Sequence, residues 1–403
     1  MLQARKMGLD FSRVNCWWRC RVKYVPLMLT AAVLMLTPQQ LCASLLNLGP
    51  EELIQAKGSD IQVLGYSVPC LADWNSDGLA DLIIGEGGGS TAGKVRIYLN
   101  VGTSTDPQFA DYFYAQSDGA DLTVPAAGCL GCFPRVVDWD ADTRKDLLVG
   151  LGNGTVKIYL NTGTDENPTF DSGTNVMVNV PGASLNVGAR AAPTFVDWNS
   201  DGMNDLVVGG LDGKIHIYLN CGCAWPVPAF YYSVPLGDFA QENDQDLVVP
   251  SARSSPVVLD LNGDGKKDLL TGNTEGELLL YINVGTDAEP KFSGYSLVES
   301  NGVPINLAGT PRSRPFVCDW TGDGYPDVLI GAGDGKVHLY QSKGRSGDID
   351  KDYDVDFMDF AWLSIFWGQT GCGKCAGADL TGDGKVDIRD VAELAANWLA
   401  GIE

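Results

Sequence analysis

The chain has 403 residues, with 51 acidic side chains against 28 basic ones and a formal net charge of −23. Such a chain offers no basic footprint for a nucleic acid and is repelled by an anionic membrane surface. Its 45% hydrophobic and 20% charged residues make a globular composition, and its 49 glycines point to many turns between many short strands.

Residues 1–24 hold Arg5, Lys6, Arg13, Arg19, Arg21 and Lys23 against Asp10, and an uncharged apolar run follows over 25–37. A basic stretch, a short apolar core and a small residue at the cut describe a secretory signal. Residues 1–43 are therefore expected to be removed after Ala43, with 44–58 as a linker and the mature chain secreted or at the cell surface. The alternative is an uncleaved anchor, for which the run is short, since a span needs about 20 residues. Losing six positive charges and one negative would take the net charge from −23 to −28. The mature chain is expected to have no membrane span. Cys70, Cys129, Cys132, Cys221, Cys223, Cys318, Cys372 and Cys375 remain beyond residue 43. An even number in an exported chain suits disulfides, with the pairing left open. Zinc or redox work is the alternative for the CxxC pairs.

An acidic pattern then recurs five times: DWNSDGLADLIIG from Asp73, DWDADTRKDLLVG from Asp138, DWNSDGMNDLVVG from Asp197, DLNGDGKKDLLTG from Asp260 and DWTGDGYPDVLIG from Asp319. The starts lie 65, 59, 63 and 59 residues apart, a repeat architecture. Each is followed by a segment such as GKVRIYLN. Four copies then carry a Pro-x-Phe (Pro107/Phe109, Pro168/Phe170, Pro228/Phe230, Pro290/Phe292), and the fifth lacks it.

Oxygen ligands at positions 1, 3, 5 and 9 bend a chain around a hard cation, and Gly at position 6 supplies the positive φ of the turn. The candidate ligands are Asp73, Asn75, Asp77 and Asp81; Asp138, Asp140, Asp142 and Asp146; Asp197, Asn199, Asp201 and Asp205; Asp260, Asn262, Asp264 and Asp268; and Asp319, Thr321, Asp323 and Asp327. One such loop reads equally well as an Asp-Gly hairpin turn. Five copies with one ligand spacing favour calcium. In the second copy Thr143 replaces the turn Gly, and Asp140 adds an acid.

These segments resemble FG-GAP/VCBS repeats, the family of the β-propeller heads of integrin α chains, over roughly residues 59–345. The resemblance implies a β-propeller with one four-stranded blade per repeat and a calcium ion in a surface loop of each. Each unit offers an inner strand ending at Asp-Trp, a DLLVG strand and an IYLN strand. Outer strands are expected at 121–124, 184–187, 246–249 and 304–307. None follows the fifth unit, so 60–63 is expected to complete the last blade, because a ring must hide its edges. Seven blades of this length would outrun the chain, so five are expected. Trp74, Trp139, Trp198 and Trp320 recur at one repeat position, with Leu261 in the fourth copy, and Tyr98, Tyr159, Tyr218, Tyr281 and Tyr340 recur at another. Such aromatics could form a sugar platform, but their presence in every copy favours packing between blades.

Beyond QSKGRSG the spacing changes. DIDKDYDVDFMD from Asp348 and DLTGDGKVDIRD from Asp379 each lead into helix-like sequence, where Val391, Leu394 and Trp398 fall on one face. Residues 346–403 resemble a dockerin domain. The candidate ligands are Asp348, Asp350, Asp352, Asp356 and Asp359, then Asp379, Thr381, Asp383, Asp387 and Asp390. The resemblance implies calcium here too, up to seven Ca2+ in all, and a cohesin-like partner at the helix starts. Phe357-Met358 and Ile388-Arg389 stand there in place of the family's Ser-Thr pairs, and Tyr353 stands in place of the turn Gly. The expected fold is mainly β, a five-bladed propeller plus a small α-helical calcium-binding module.

Chemistry is sparse. His216 and His338 are the two histidines, at one repeat position that suggests a strand surface. They cannot furnish a zinc site or a triad between them. GGSTAGKV at 88–95 nearly spells a phosphate loop, but Val95 stands where Mg2+ needs a hydroxyl, which leaves an elongated turn. Of the 51 acids, 25 sit at proposed ligand positions. The expected function is a non-catalytic binding, adhesion or scaffold protein with a glycan or extracellular protein as ligand, in a polysaccharide-related setting. The alternative is a polysaccharide hydrolase or lyase, or an accessory subunit of one, because dockerins accompany such enzymes.

Overall fold

The computed structural model describes residues 46–398 apart from 88–91, 126–130, 179–182, 225, 232–238, 308 and 353. The expected signal, the start of the phosphate-loop-like turn, Cys129 and Tyr353 lie outside the described residues.

The DLxxG segments are the middle of the fold because they are apolar on both faces. Asp81–Gly85, Asp146–Gly150, Asp205–Gly209, Asp268–Gly272 and Asp327–Gly331 are buried at all positions, as short continuous apolar runs predict. Each pairs antiparallel with an inner strand before it: Val68–Ala72, Phe133–Val137, Ala192–Val196, Ser255–Leu259 and Arg314–Cys318. Each also pairs with a third strand after it: Ala92–Tyr98, Val156–Tyr159, Ile215–Asn220, Leu278–Tyr281 and Val337–Ser342. The five inner strands touch in sequence and the last touches the first, so the ring is closed with five blades.

The Gly that ends each DLxxG run marks the closest approach between blades. A Cβ on Gly85, Gly150, Gly209, Gly272 or Gly331 would stand 2.1–2.4 Å from the carbonyl oxygen of Cys132, Ala191, Ser254, Ser313 or Ser67, each at the entry to the next blade. The Trp of the acidic pattern fills the gap lower down. Trp74 packs on Phe170, Trp139 on Phe230, Trp198 on Phe292 and Trp320 on Phe109, with ring centroids 5.7–6.4 Å apart. The Pro-x-Phe of each blade is therefore the partner of the preceding blade's Trp, and the recurrent tryptophans are packing residues.

The seam differs from the expectation. The strand that completes blade 5 is Leu48–Leu53, antiparallel to Val337–Ser342, inside the stretch read as a linker. Residues 60–63 add only scattered bonds to blade 5: Val63 N–H donates to Gly335 O at 2.9 Å, Gln62 Nε2 to Asp334 O at 3.2 Å, and Lys336 Nζ to Asp60 at 2.9 Å. The reason is that the outer element of each blade is a hairpin rather than a single strand. In blade 1, Phe113–Tyr114 and Thr123–Pro125 both pair with the third strand, and the turn between them leans on the next blade. Segment 48–63 is that whole hairpin for blade 5. Leu48 also stands opposite Ser342, as Phe109 stands opposite Asn100, so it takes the place of the missing Pro-x-Phe. It shares a buried cluster with Leu261, the residue that replaces the Trp in blade 4. Two departures from the repeat are thus the two halves of one interface.

After the propeller come helices α1 (Phe357–Ile365) and α2 (Ile388–Ala396), each opened by a capping box. Asp356 caps α1 with Asp359 reciprocating, and Asp387 caps α2 with Asp390 reciprocating. Ile349, Val355, Leu363, Val386 and Leu394 form a small core, with Val391 and Trp398 packed against it. Disulfides join Cys221 to Cys223 and Cys372 to Cys375, while Cys70, Cys132 and Cys318 are free thiols.

Candidate metal centres

All five propeller loops fold alike. The residue at position 9 is buried at the head of the DLxxG strand, and its two oxygens tie the blade together. Asp81 accepts the N–H of Trp74 at 2.8 Å and of Asn100 at 2.7 Å. Asp146 accepts Trp139 and Asn161, Asp205 accepts Trp198 and Asn220, Asp268 accepts Leu261 and Asn283, and Asp327 accepts Trp320 and Ser342. One carboxylate thus joins the end of the inner strand, the start of the second and the end of the third.

The rest of the loop curls around position 1. Asp73, Asp197 and Asp319 each accept two N–H groups, from positions 5 and 6, at 2.9–3.1 Å. Asp260 accepts those of Gly263 and Gly265, and Asp138 that of Thr143. The carboxylate at position 5 accepts the N–H of position 7 at 2.8–2.9 Å in all five, on Asp77, Asp142, Asp201, Asp264 and Asp323. Positions 4 and 6 are both left-handed: Ser76 and Gly78, Ala141 and Thr143, Ser200 and Gly202, Gly263 and Gly265, Gly322 and Gly324. Thr143 adopts φ 71° without being glycine, so the loop imposes the turn on the second copy.

The arrangement concentrates negative charge. Burial raises the Asp146 and Asp205 carboxyls to about 6 and Asp268 to about 7, against the lowering effect of their backbone N–H donors. Asp81 and Asp327 are raised for the same reason. At position 3 the side-chain oxygens of Asn75, Asn199 and Asn262 accept the N–H of position 5, whereas among the described residues Asp140 Oδ1 and Thr321 Oγ1 are buried with no hydrogen-bond partner. Asp138, Asp140 and Asp146 bring carboxylate oxygens within 4.8 Å of one another. Asn75, Asn199 and Asn262 carry the neutral oxygen at the same position.

The first C-terminal loop gathers one carboxylate beyond those expected, Asp354. Asp348, Asp350 and Asp359 form one close group and Asp354, Asp356 and Asp359 another, so Asp359 is shared. Ligand spacing alone does not single out Asp354, because position 7 ordinarily serves through its carbonyl, and Asp352 joins neither group. Burial raises Asp350 and Asp354 to about 6. In the second loop Asp379 accepts the N–H of Asp383 and Gly384, Asp390 accepts Thr381 N and Oγ1, each at 3.0 Å, and Arg389 lies across Asp383 and Asp387. The first of these loops abuts blade 5. Tyr325 Oη donates to Asp348 O at 3.2 Å, and Lys351 Nζ donates to Asp323 O.

Residues 138–208 and 260–330 match the FG-GAP-like repeat model. Integrin alpha-7 of Homo sapiens is 29% identical over 171 residues, which cover 38% of this chain and 13% of that protein. Integrin alpha-6 of Gallus gallus is 32% identical over 96 residues, covering 21% of this chain and 8% of that one. The chain therefore spans only a small part of the integrins it matches. Among solved structures, the Photorhabdus luminescens Tc holotoxin pore aligns at TM-score 0.32 and 14% identity, over 74% of this chain and 15% of that one. BBS1N in complex with ARL6DN aligns at TM-score 0.33 and 14% identity, over 73% and 95%. The two stretches that match the repeat model run from the acidic loop of blade 2 to the second strand of blade 3, and from that of blade 4 to that of blade 5.

Proposed function

We propose that this protein is an exported, calcium-binding propeller that acts in binding or adhesion rather than catalysis. The observation that carries the reading is the fivefold identity of the acidic loops: one fold, one buried carboxylate at position 9, and position-3 oxygens left unbonded in blades 2 and 5. Each ion would screen the carboxylates that the loop forces together and fix the hinge between inner and second strands. The ligands are the thirty residues named above, with Asp354 added. Seven ions would bring +14 to the acid-rich chain.

The C-terminal module is read as a dockerin-like attachment device. Two loop-helix units with capped starts support this, as do Phe357, Met358 and Ile388, which stand exposed at those starts. Apolar groups in that place suit a protein partner of the cohesin kind. An extracellular location and a glycan or protein ligand belong to the same reading.

The test is thermal unfolding of the calcium-loaded chain with and without EDTA. Ligand-linked stabilisation at 100 times the dissociation constant is about 2.7 kcal/mol per site. Chelation should therefore lower Tm by many degrees and restored Ca2+ should recover it. A Tm indifferent to EDTA would remove the metal from the account.

A further inference from the structure

The acidic loops follow the inner strands. The loops that enter those strands lie at the other end of the channel, about 16 Å away for five residues of strand. Two residues before each inner strand stands one residue in the left-handed region: Tyr66 (φ 54°), Gly131 (23°), Arg190 (55°), Arg253 (64°) and Arg312 (81°). Four of these are not glycine and bear a conformational cost, so the turn into the channel holds them in place. Three of the five are arginine. Arg314 opens the fifth inner strand and Arg135 stands third in the second. The inner strands and their entries thus hold five of the nine arginines beyond residue 43.

The side chains meet on the axis. Val68, Phe133 and Ala192, the first inner-strand residues of three blades, form one buried cluster. The guanidinium of Arg190 lies 4.7 Å from the Phe133 ring centre and that of Arg314 lies 5.6 Å from it. Arg312 and Arg314 lie 5.0 and 5.4 Å from the Tyr66 ring, and Arg312 Nη1 donates to Tyr66 Oη at 2.6 Å. One layer deeper, Arg135 lies 5.7 Å from Phe316 and donates to Pro134 O at 2.9 Å.

Among the described residues no ion pair joins Arg135, Arg253 or Arg312 to a carboxylate, in a chain rich in them. Arg253 Nη1 and Arg312 Nε are buried with no hydrogen-bond acceptor among the described residues. A guanidinium stays protonated, and a desolvated charge without a counter-charge is costly. Its planar fork matches a carboxylate through two parallel bonds. We propose that this arginine-lined channel mouth binds a carboxylate-bearing ligand, with Arg253 and Arg312 at the rim and Arg135 beneath. The proposal rests on the binding reading above and supplies the chemistry of its ligand.

Isothermal titration of the full, calcium-loaded chain tests it. The probes are D-galacturonate, N-acetyl-aspartate, sulfate and neutral D-galactose. At least one of the two carboxylates binds and galactose does not, and whichever binds tighter distinguishes a saccharide from a peptide source. Arg312→Gln and Arg253→Gln each weaken that binding about tenfold or more, the loss of one charge-assisted bond, while Tm in calcium stays within a few degrees. Arg312→Lys recovers part of it. The proposal is overturned if neither carboxylate binds, if galactose or sulfate binds as well, or if both Gln variants keep the affinity. EDTA acts on the opposite end of the molecule, so loss of the calcium effect and loss of carboxylate binding are distinguishable outcomes.

Discussion

Leu48 and Leu261 lie 213 positions apart, yet the fold makes them the seam of the ring. Both are buried, at 2% and 0% exposure, in a cluster that spans blades 4 and 5. Truncating a buried Leu to Ala costs about 2–5 kcal/mol, depending on how far the site collapses. If the two side chains fill one interface, the first truncation already opens the cavity that the second would open. Leu48→Ala with Leu261→Ala should then cost less than the sum of the singles, with a coupling of about 0.5–3 kcal/mol. Leu147, at 0% exposure in the cluster between blades 1 and 2, supplies the control, and Leu147→Ala with Leu261→Ala should add to within about 0.5 kcal/mol. Urea unfolding in saturating calcium measures all five variants. Additivity in the Leu48/Leu261 pair, or a cost below about 1 kcal/mol for Leu48→Ala, would refute closure through residue 48.

Gly150→Ala places a methyl 2.2 Å from Ala191 O and 2.5 Å from Pro193 Cδ, both fixed by the next blade. It should cost at least the 1–3 kcal/mol typical of overpacking, read as a loss of about 2–12 °C in Tm, whereas Gly188→Ala meets no atom within 4 Å and is penalised only through its φ of 87°. His338 lies at the seam, its ring nitrogens 2.7 Å from Glu51 and 3.5 Å from Asp334, with Lys336 nearby. Burial lowers its pKa, but hydrogen bonds to Asp334 and Glu51 outweigh burial and raise it above the ordinary value. A raised folded pKa stabilises fully below about pH 6.5 and ceases to do so as pH rises through the folded value. Tm should therefore fall above pH 6.5 by an increment that His338→Gln lacks, and parallel pH profiles for the two proteins would dismiss the ion pair.

The acidic loops and the strands beside them are legible in the sequence because their signals are local. Position 1 and position 9 are eight residues apart, and the apolar run after them needs no partner to be recognised. The seam is not legible, for the opposite reason. Leu48–Leu53 reads LGPEEL, with no Pro-x-Phe and only two residues at its start fully buried, and its partner strand lies nearly 290 residues on. The repeat position of His338 suggests a strand surface, yet the residue is buried, because the closing strand covers it with Glu51. The ordinary strand propensities of 60–63 make it the better candidate from sequence alone, and only the doubled outer hairpin shows why it is the second half of the element.

Net charge hides the molecule's polarity. A total of −23 is one number for a chain whose carboxylates gather at the ends of the inner strands and whose arginines gather at their beginnings. Nothing in the local sequence ties Arg190 to Arg253 or Arg312. They align only when each repeat is registered on its own inner strand, two residues before the start. The same registration puts Tyr66 and Gly131 in the two remaining places, one a ring that two guanidiniums approach and the other an absence of side chain. A ring that were simply structural would have no need to break its fivefold symmetry there. The break leaves three arginines in successive blades at the entry end, away from the loops the repeats hold in common.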